Sequence, residues 1–338
     1  MRRLIAFLVV TFACLAAAAT FDWWVDPFGF VWKPSAVADA RKHDCLISQE
    51  LIGLRYPDFK LDVFRHRPTR TFVVGSSRVL KIAARRGDDS FSNLGYPGSA
   101  PGTILSLFRA IPAKPRQTVY VGVEGFWFNR NYHVPVTNPS DYAISKYLVS
   151  RNAFHQAVDL VREAHYIGTE RWHETRVGRS CTMGRIFPSI NWRLDGSRVW
   201  SWELDPKKYA VIGKTRFTRD LLAWRSGYYV GWSQLDPQRV GTLREALALA
   251  RQRGWRVIGF APPEPERDLR ILNTDPRLAR SWHAYMRLMP RLFARYGATW
   301  VGFPAECSAR RFIDGFHTDA ACSELVHERL DEVARGLH

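Results

Sequence analysis

The clearest pattern stands at the start of the chain, where Met1-Arg2-Arg3 precedes an uncharged, mostly apolar run from Leu4 to Phe21 and then Asp22, Trp23 and Trp24. At roughly 1.5 Å per residue a helix over that run covers about 27 Å, close to the hydrocarbon thickness of a bilayer. Arginines before it and acidic residues after it place the N-terminus inside and everything downstream outside, with the tryptophans at the interface. Ala16 to Ala19 also offer small residues in an A-x-A arrangement, so a retained anchor and a cleaved signal both remain open. Cys14 invites a lipoprotein reading, but Thr11-Phe12-Ala13 lacks the leucine usual three residues upstream.

Beyond the anchor, Asp26-Pro27-Phe28-Gly29 reads as a turn and Asp44 to Leu54 as a short helix. A regular pattern begins at Arg70. Short apolar strands are predicted at Thr71 to Val74, Phe91 to Leu94, Val119 to Val123, Arg256 to Phe260 and Thr299 to Phe303. Helices are predicted at Val79 to Ala84, Pro101 to Ile111, Ala153 to Ile167, Val240 to Arg253, Leu278 to Tyr296 and Asp319 to Arg335. Residues 168–235 are rich in Trp, Tyr, Arg and Gly without steady periodicity and read as an insertion or cap. Continuous rather than alternating apolar strands, separated by helices, predict an α/β fold with a mostly parallel sheet covered on both faces. The expected organisation is a signal-anchor over 1–24, a membrane-proximal segment over 25–69 and an α/β domain over 70–338.

Composition narrows the function classes. With 46% hydrophobic and 24% charged residues the chain can bury a core, which excludes wholesale disorder and collagen-like repeats. A net charge of +17, mostly from arginine, suits nucleic acid, anionic lipid or an acidic polymer, and also suits an arginine bias without function. The export signal and the absence of a reader motif set nucleic acid aside. No C-x-x-C pair is present, and His133, His155, His165 and His173 lack ligand-like spacing, so neither a metal nor another cofactor is expected. In an oxidising compartment Cys307 and Cys322 can bridge, as can Cys45 and Cys181; buried free thiols are the alternative.

Three segments at predicted strand ends carry chemistry. Gly75-Ser76-Ser77-Arg78 turns from strand to helix and would expose a hydroxyl at the positive end of the helix dipole, either as a nucleophile or as an N-cap. A serine nucleophile needs a base brought from elsewhere. Phe312-Ile313-Asp314-Gly315-Phe316-His317 supplies one, since a carboxylate three residues away can hold one ring nitrogen while the other faces outward; a surface loop is the plainer reading. In Asn93-Leu94-Gly95-Tyr96-Pro97-Gly98-Ser99 the glycines let a backbone N–H approach a ligand, where it would join the Ser77 amide around an oxyanion.

This order of segments resembles the SGNH (GDSL-like) hydrolase superfamily, particularly its membrane-anchored periplasmic branch related to polysaccharide O-acetylation proteins. The likeness rests on G-x-S at Gly75-Ser76-Ser77, G-x-x-G at Gly95 to Gly98 and D-x-x-H at Asp314 to His317, and spans residues 70–125 and 240–335. The resemblance implies a flavodoxin-like three-layer sandwich, with Ser77 as nucleophile, His317 as base, Asp314 as its orienting carboxylate and Gly98 as an oxyanion donor. Two departures matter. Ser76 replaces the usual Asp, and the family's G-x-N-D block aligns with Gly122-Val123-Glu124-Gly125, which puts a carboxylate where an amide belongs. Glu124 must be turned away, be protonated or signal another task. Asn129 and Asn131 are candidates to replace the missing donor, whose loss costs on the order of 10²- to 10³-fold in rate.

Arg78 is a candidate contact for an anionic substrate, or else a surface or ion-pair residue. Trp192, Trp200, Trp202, Trp224, Tyr228, Tyr229 and Trp232 suit a sugar-stacking platform or an aromatic core, and the Pro262 to Glu266 loop can line the site or simply punctuate the chain. The expectation is an exported serine-dependent esterase or O-acyltransferase, acetyl being the expected group, at the bacterial inner membrane with its body in the periplasm. Its expected partners are the membrane, an anionic or acetylated polysaccharide and an envelope assembly protein. The rival is a non-catalytic scaffold of the same fold that binds glycan or an assembly partner.

Overall fold

The structure, a computed structural model, describes residues 2–25, 46–48, 60–61, 63–65, 67–85, 88–112, 114–132, 158, 190–200, 228–303, 306–313 and 315–336. In chain order the elements are α1 (Arg2–Val25), β1 (Leu46–Ser48), β2 (Thr71–Val74), β3 (Phe91–Asn93), α2 (Pro101–Ala110), β4 (Thr118–Gly122), β5 (Ile190–Arg193) and β6 (Arg198–Trp200). They continue with α3 (Pro237–Gln252), β7 (Arg256–Phe260), α4 (Glu266–Thr274), α5 (Ala279–Arg295), β8 (Thr299–Trp300) and α6 (Ala320–Gly336). Two compact units result, Met1–His66 with Thr137–Leu194, and Arg67–Val136 with Asp195–His338.

In the first unit, α1 has a mean hydropathy of 2.5 over Arg2–Phe21 and none of that stretch is buried. It is long and apolar enough to cross a membrane, as an anchor or signal sequence does. Strand β1 pairs antiparallel with β5, Ile47 opposite Trp192. The helix expected from Asp44 is therefore a strand at Leu46–Ser48, where pairing with a remote segment overrides the local pattern. The turn at 26–29, the helix at 153–167 apart from the helical Val158, residues 168–189 and 201–227 of the expected insertion, and Cys45 and Cys181 lie outside the described residues.

The second unit is built on a five-stranded sheet in the order β3-β2-β4-β7-β8, and its pairings are parallel. Register places Val73 beside Tyr120 and Tyr120 beside Ile258, and with Phe260 these side chains meet Val326 and Leu330 of α6. Residues of the other parity point to the opposite face. There Phe72 meets Trp255 edge-on at 5.5 Å and Trp255 meets Phe108 of α2 at 5.3 Å, while Phe293 of α5 packs over Gly259 so closely that a Cβ would lie 2.2 Å from its ring. Each such aromatic, fully buried, contributes about 1.5–3 kcal/mol.

Two expectations are corrected. In place of a helix over Val79 to Ala84 there is a 3-10 turn at Ser77–Val79 followed by irregular chain. The cause is competition for the backbone. The Asn93 amide donates to the carbonyls of Val79 and Ile82 at 2.7 Å each, Arg198 N–H donates to Leu80 O at 2.6 Å, and the Asp195 carboxylate accepts from Ala84 N–H at 2.5 Å. Helix α4 follows directly on the loop expected at Pro262 to Glu266, taking Glu266 as its first residue, with Glu266 and Asp268 favourably placed in its first turn. Strand β8 ends at Trp300 rather than Phe303, because Gly302 turns into the left-handed region at φ 73°.

Candidate active site

Ligands of parallel sheets collect beyond the carboxyl ends of the strands, where strand order reverses, which in this sheet is between β2 and β4. The serine turn leaves β2 at that point. Val79 is wedged against three glycines: a Cβ would come within 2.9 Å of it at Gly75, 2.5 Å at Gly95 and 2.6 Å at Gly122. Those glycines let the turn press onto the strand ends. The Ser76 hydroxyl accepts from Arg78 N–H at 3.1 Å and donates to Glu124 Oε1 at 2.5 Å, so Ser76 caps the turn and is buried. The neighbouring Ser77 faces the other way, partly exposed.

His317 meets it there, with Nε2 2.8 Å from Ser77 Oγ across 240 residues of sequence. A short antiparallel bridge between Phe312 and Thr318 closes the loop that presents the ring, reinforced by Ile313 N–H to His317 O at 2.8 Å and Asp319 N–H to Arg311 O at 2.7 Å. Asp319 also accepts from Cys322 N–H at 2.8 Å at the start of α6, and Cys322 is disulfide-bonded to Cys307 on the far side of the loop. Cys14 is free and exposed. Asp314 lies outside the described residues.

Gly98 stands in the third segment with φ 72°, a conformation that favours glycine. Tyr96 N–H donates to Gly75 O at 2.8 Å, which ties this segment to the serine turn. Among the described residues, neither the Ser77 nor the Gly98 N–H donates to another residue, so both remain available to an incoming oxygen.

Arg78 is a buried ion-pair residue, not a surface one. Its side chain is 1% exposed; Nη1 donates to Glu124 Oε2 at 2.8 Å and to Glu264 Oε1 at 2.6 Å, Nη2 donates to Pro263 O, and the guanidinium lies 4.5 Å from the Phe316 ring centre. Burial opposes its charge, but Glu124 and Glu264 more than offset that and hold its pKa above the ordinary arginine range. Burial pushes the Glu124 carboxyl up, against the pull of Arg78, and Glu264 adds to the rise. Glu124 is thus turned into this cluster. Glu264 has no signal in the sequence beyond its place in a strand-end loop.

Asn129 and Asn131 have another task as well. The Asn129 amide donates to Tyr228 O at 2.9 Å and Val230 O at 3.0 Å, and that of Asn131 to Val230 O at 3.3 Å. They hold the 228–231 stretch, and their amide hydrogens are engaged there. That stretch brings Tyr228 into a parallel stack on Phe316 at 5.7 Å. Of the expected aromatic platform, Trp192, Tyr229 and Trp232 are buried, while the side chains of Trp200, Trp202 and Trp224 lie outside the described residues. Trp232 lines a cavity of about 720 Å³ with Val230, Ile271, Leu272 and Leu278. Among the described residues, no group of three or more His, Cys, Asp or Glu could hold a metal ion. Comparison of the chain with protein-family models finds no match, and comparison with curated proteins finds none.

Proposed function

We propose that the protein is a serine-dependent acyl-transfer enzyme of the SGNH type, an esterase or O-acyltransferase. The observation that carries this reading is the 2.8 Å contact between Ser77 Oγ and His317 Nε2 at the carboxyl ends of a parallel sheet. The strand order supports the same fold family: counted from β2, the sheet runs 2-1-3-4-5, the flavodoxin-like order. α6 packs on one set of strand side chains and α2 and α5 on the other, as a three-layer sandwich requires.

In this reading His317 accepts the Ser77 proton as the oxygen attacks an ester carbonyl, and the oxyanion that forms is held by the Ser77 and Gly98 amides. Asp314 is the carboxylate assigned to orient the imidazole. The proton then passes to the departing alcohol, leaving an acyl-serine that water or a sugar hydroxyl discharges. Engagement of Glu124 by Arg78 and Ser76 removes the charge objection to an oxyanion at this place.

We assign the protein to the bacterial inner membrane, anchored by α1 with its body in the periplasm, and assign it an acetylated or anionic envelope polysaccharide as substrate, with an envelope assembly protein as neighbour. The apolar helix and the Cys307–Cys322 disulfide support the compartment. The full chain in detergent is expected to release acetate from an activated acetyl ester, and Ser77→Ala to lower the rate by at least about 10³-fold. Wild type no faster than the variant would overturn the reading in favour of a binding scaffold. A reporter fused after His338 is expected to be active in the periplasm alone.

A further inference from the structure

Arg78 touches the neighbours of both reacting groups. It follows Ser77 directly in the chain, and its guanidinium packs on Phe316, which precedes His317. Its acceptors come from the ends of two other strands: Glu124 after β4, and Pro263 and Glu264 after β7. Stability alone is a poor reason to bury such a cluster, because an apolar set of similar volume commonly does as well or better. At 1% exposure the side chain is also out of reach of any substrate.

We infer that Arg78 is a positioning residue, which sets the separation of Ser77 and His317 by clamping the serine turn to the ends of β4 and β7 while carrying Phe316 on its planar face. The inference rests on Ser77 and His317 being the reacting pair. Two features of arginine are needed: a fork that reaches two carboxylates and a carbonyl together, and a flat face that stacks on a ring. Lysine keeps the charge and lacks both. Glu124 and Glu264 act through Arg78, with Ser76 relaying Glu124 to the turn.

The test uses the full chain carrying Arg78→Lys, with Phe316→Leu as a second variant that leaves the buried ion pairs intact. Displacing a reacting group by about 1 Å costs on the order of 10²-fold, so kcat on an activated acetyl ester is expected to fall that far in Arg78→Lys. KM is expected to stay within about 3-fold, since the residue meets no substrate. Phe316→Leu is expected to lower kcat in the same sense, and the double variant to lose less than the product of the two effects, because both act on one contact. Crystal structures read the same point without turnover, the Ser77 to His317 separation widening from 2.8 Å in wild type to beyond about 3.5 Å in Arg78→Lys. A retained 2.8 Å contact, or a loss carried wholly by KM, overturns the inference. If wild type is no faster than Ser77→Ala, the acyl-transfer reading fails by itself and the crystallographic separation still decides the role of Arg78.

Discussion

Two histidines ten residues apart in the C-terminal stretch have opposite surroundings. His317 stands in a loop, half-buried, with its Nε2 on the Ser77 hydroxyl. His327 stands in α6, 4% exposed, with Nδ1 on Ala83 O at 2.9 Å and its ring 4.3 Å from that of Phe91. A hydroxyl beyond the end of a sheet strand is the partner of the first imidazole, and in the proposed reading its proton is the one that ring takes. A carbonyl in the core gives the second a fixed acceptor, while burial opposes its charge. Residue type decides little here; what the ring faces decides its use.

The largest effect that would break this contrast is on turnover. His317→Gln is expected to cost at least about 10³-fold in kcat while leaving the protein folded, because a carboxamide cannot take up the serine proton. Steady-state kinetics beside a thermal melt would separate loss of chemistry from loss of fold. A variant within tenfold of wild type would place His317 among structural histidines after all.

Next comes the disulfide. Cys307 and Cys322, 15 apart, close the chain around the His317 loop, and a closed loop of that length is worth about 3 kcal/mol. Cys307→Ser is expected to lower the urea midpoint accordingly and also to reduce turnover, since the loop then holds His317 less firmly. In a background with Cys45 and Cys181 both changed to Ser, reductant should reproduce the shift in the chain that keeps Cys307 and leave the Cys307→Ser variant unmoved. Equal midpoints with and without reductant would show that the bridge does not constrain this loop.

Some of this was legible in the sequence, for physical reasons. Strands β2, β4 and β7 are short apolar runs buried on both sides, a pattern that needs no partner to be recognised. Ser77 and His317 stood out because a small-residue turn and a Gly-containing Asp-x-x-His loop are local signals, although their meeting spans 240 residues. What stayed hidden depends on pairings that local pattern does not encode. The helix expected after Val79 fails because Asn93, Asp195 and Arg198 reach its backbone from other segments. For Arg78 an ion pair was one reading among three, and its partner Glu264 could not be named because it lies 186 residues away. Asn129 and Asn131 matched the chemistry of an oxyanion donor, yet their amides hold a segment about 100 residues downstream.

The smallest effect sharpens the comparison from the other side. Burial lowers the pKa of His327, with Asp331 and the Ala83 hydrogen bond pulling partly the other way. Between that lowered value and the unfolded value near 6.5, the unfolded chain binds a proton that the folded one does not. The contribution to stability is therefore complete above about pH 6.5 and is lost as pH falls through the folded pKa, at no more than about 1.4 kcal/mol per pH unit. His327→Gln keeps a donor for Ala83 O but has no proton to gain, so urea midpoints between about pH 5 and 6.5 should fall less steeply than in wild type by up to one proton. Its turnover at pH 7.5 should remain within about twofold, because the ring meets neither Ser77 nor His317. An unchanged slope would mean that His327 already carries its proton in the folded core, with Asp331 as counter-ion; loss of turnover would mean that the two histidines are coupled through α6 and that their contrast is not one of surroundings alone.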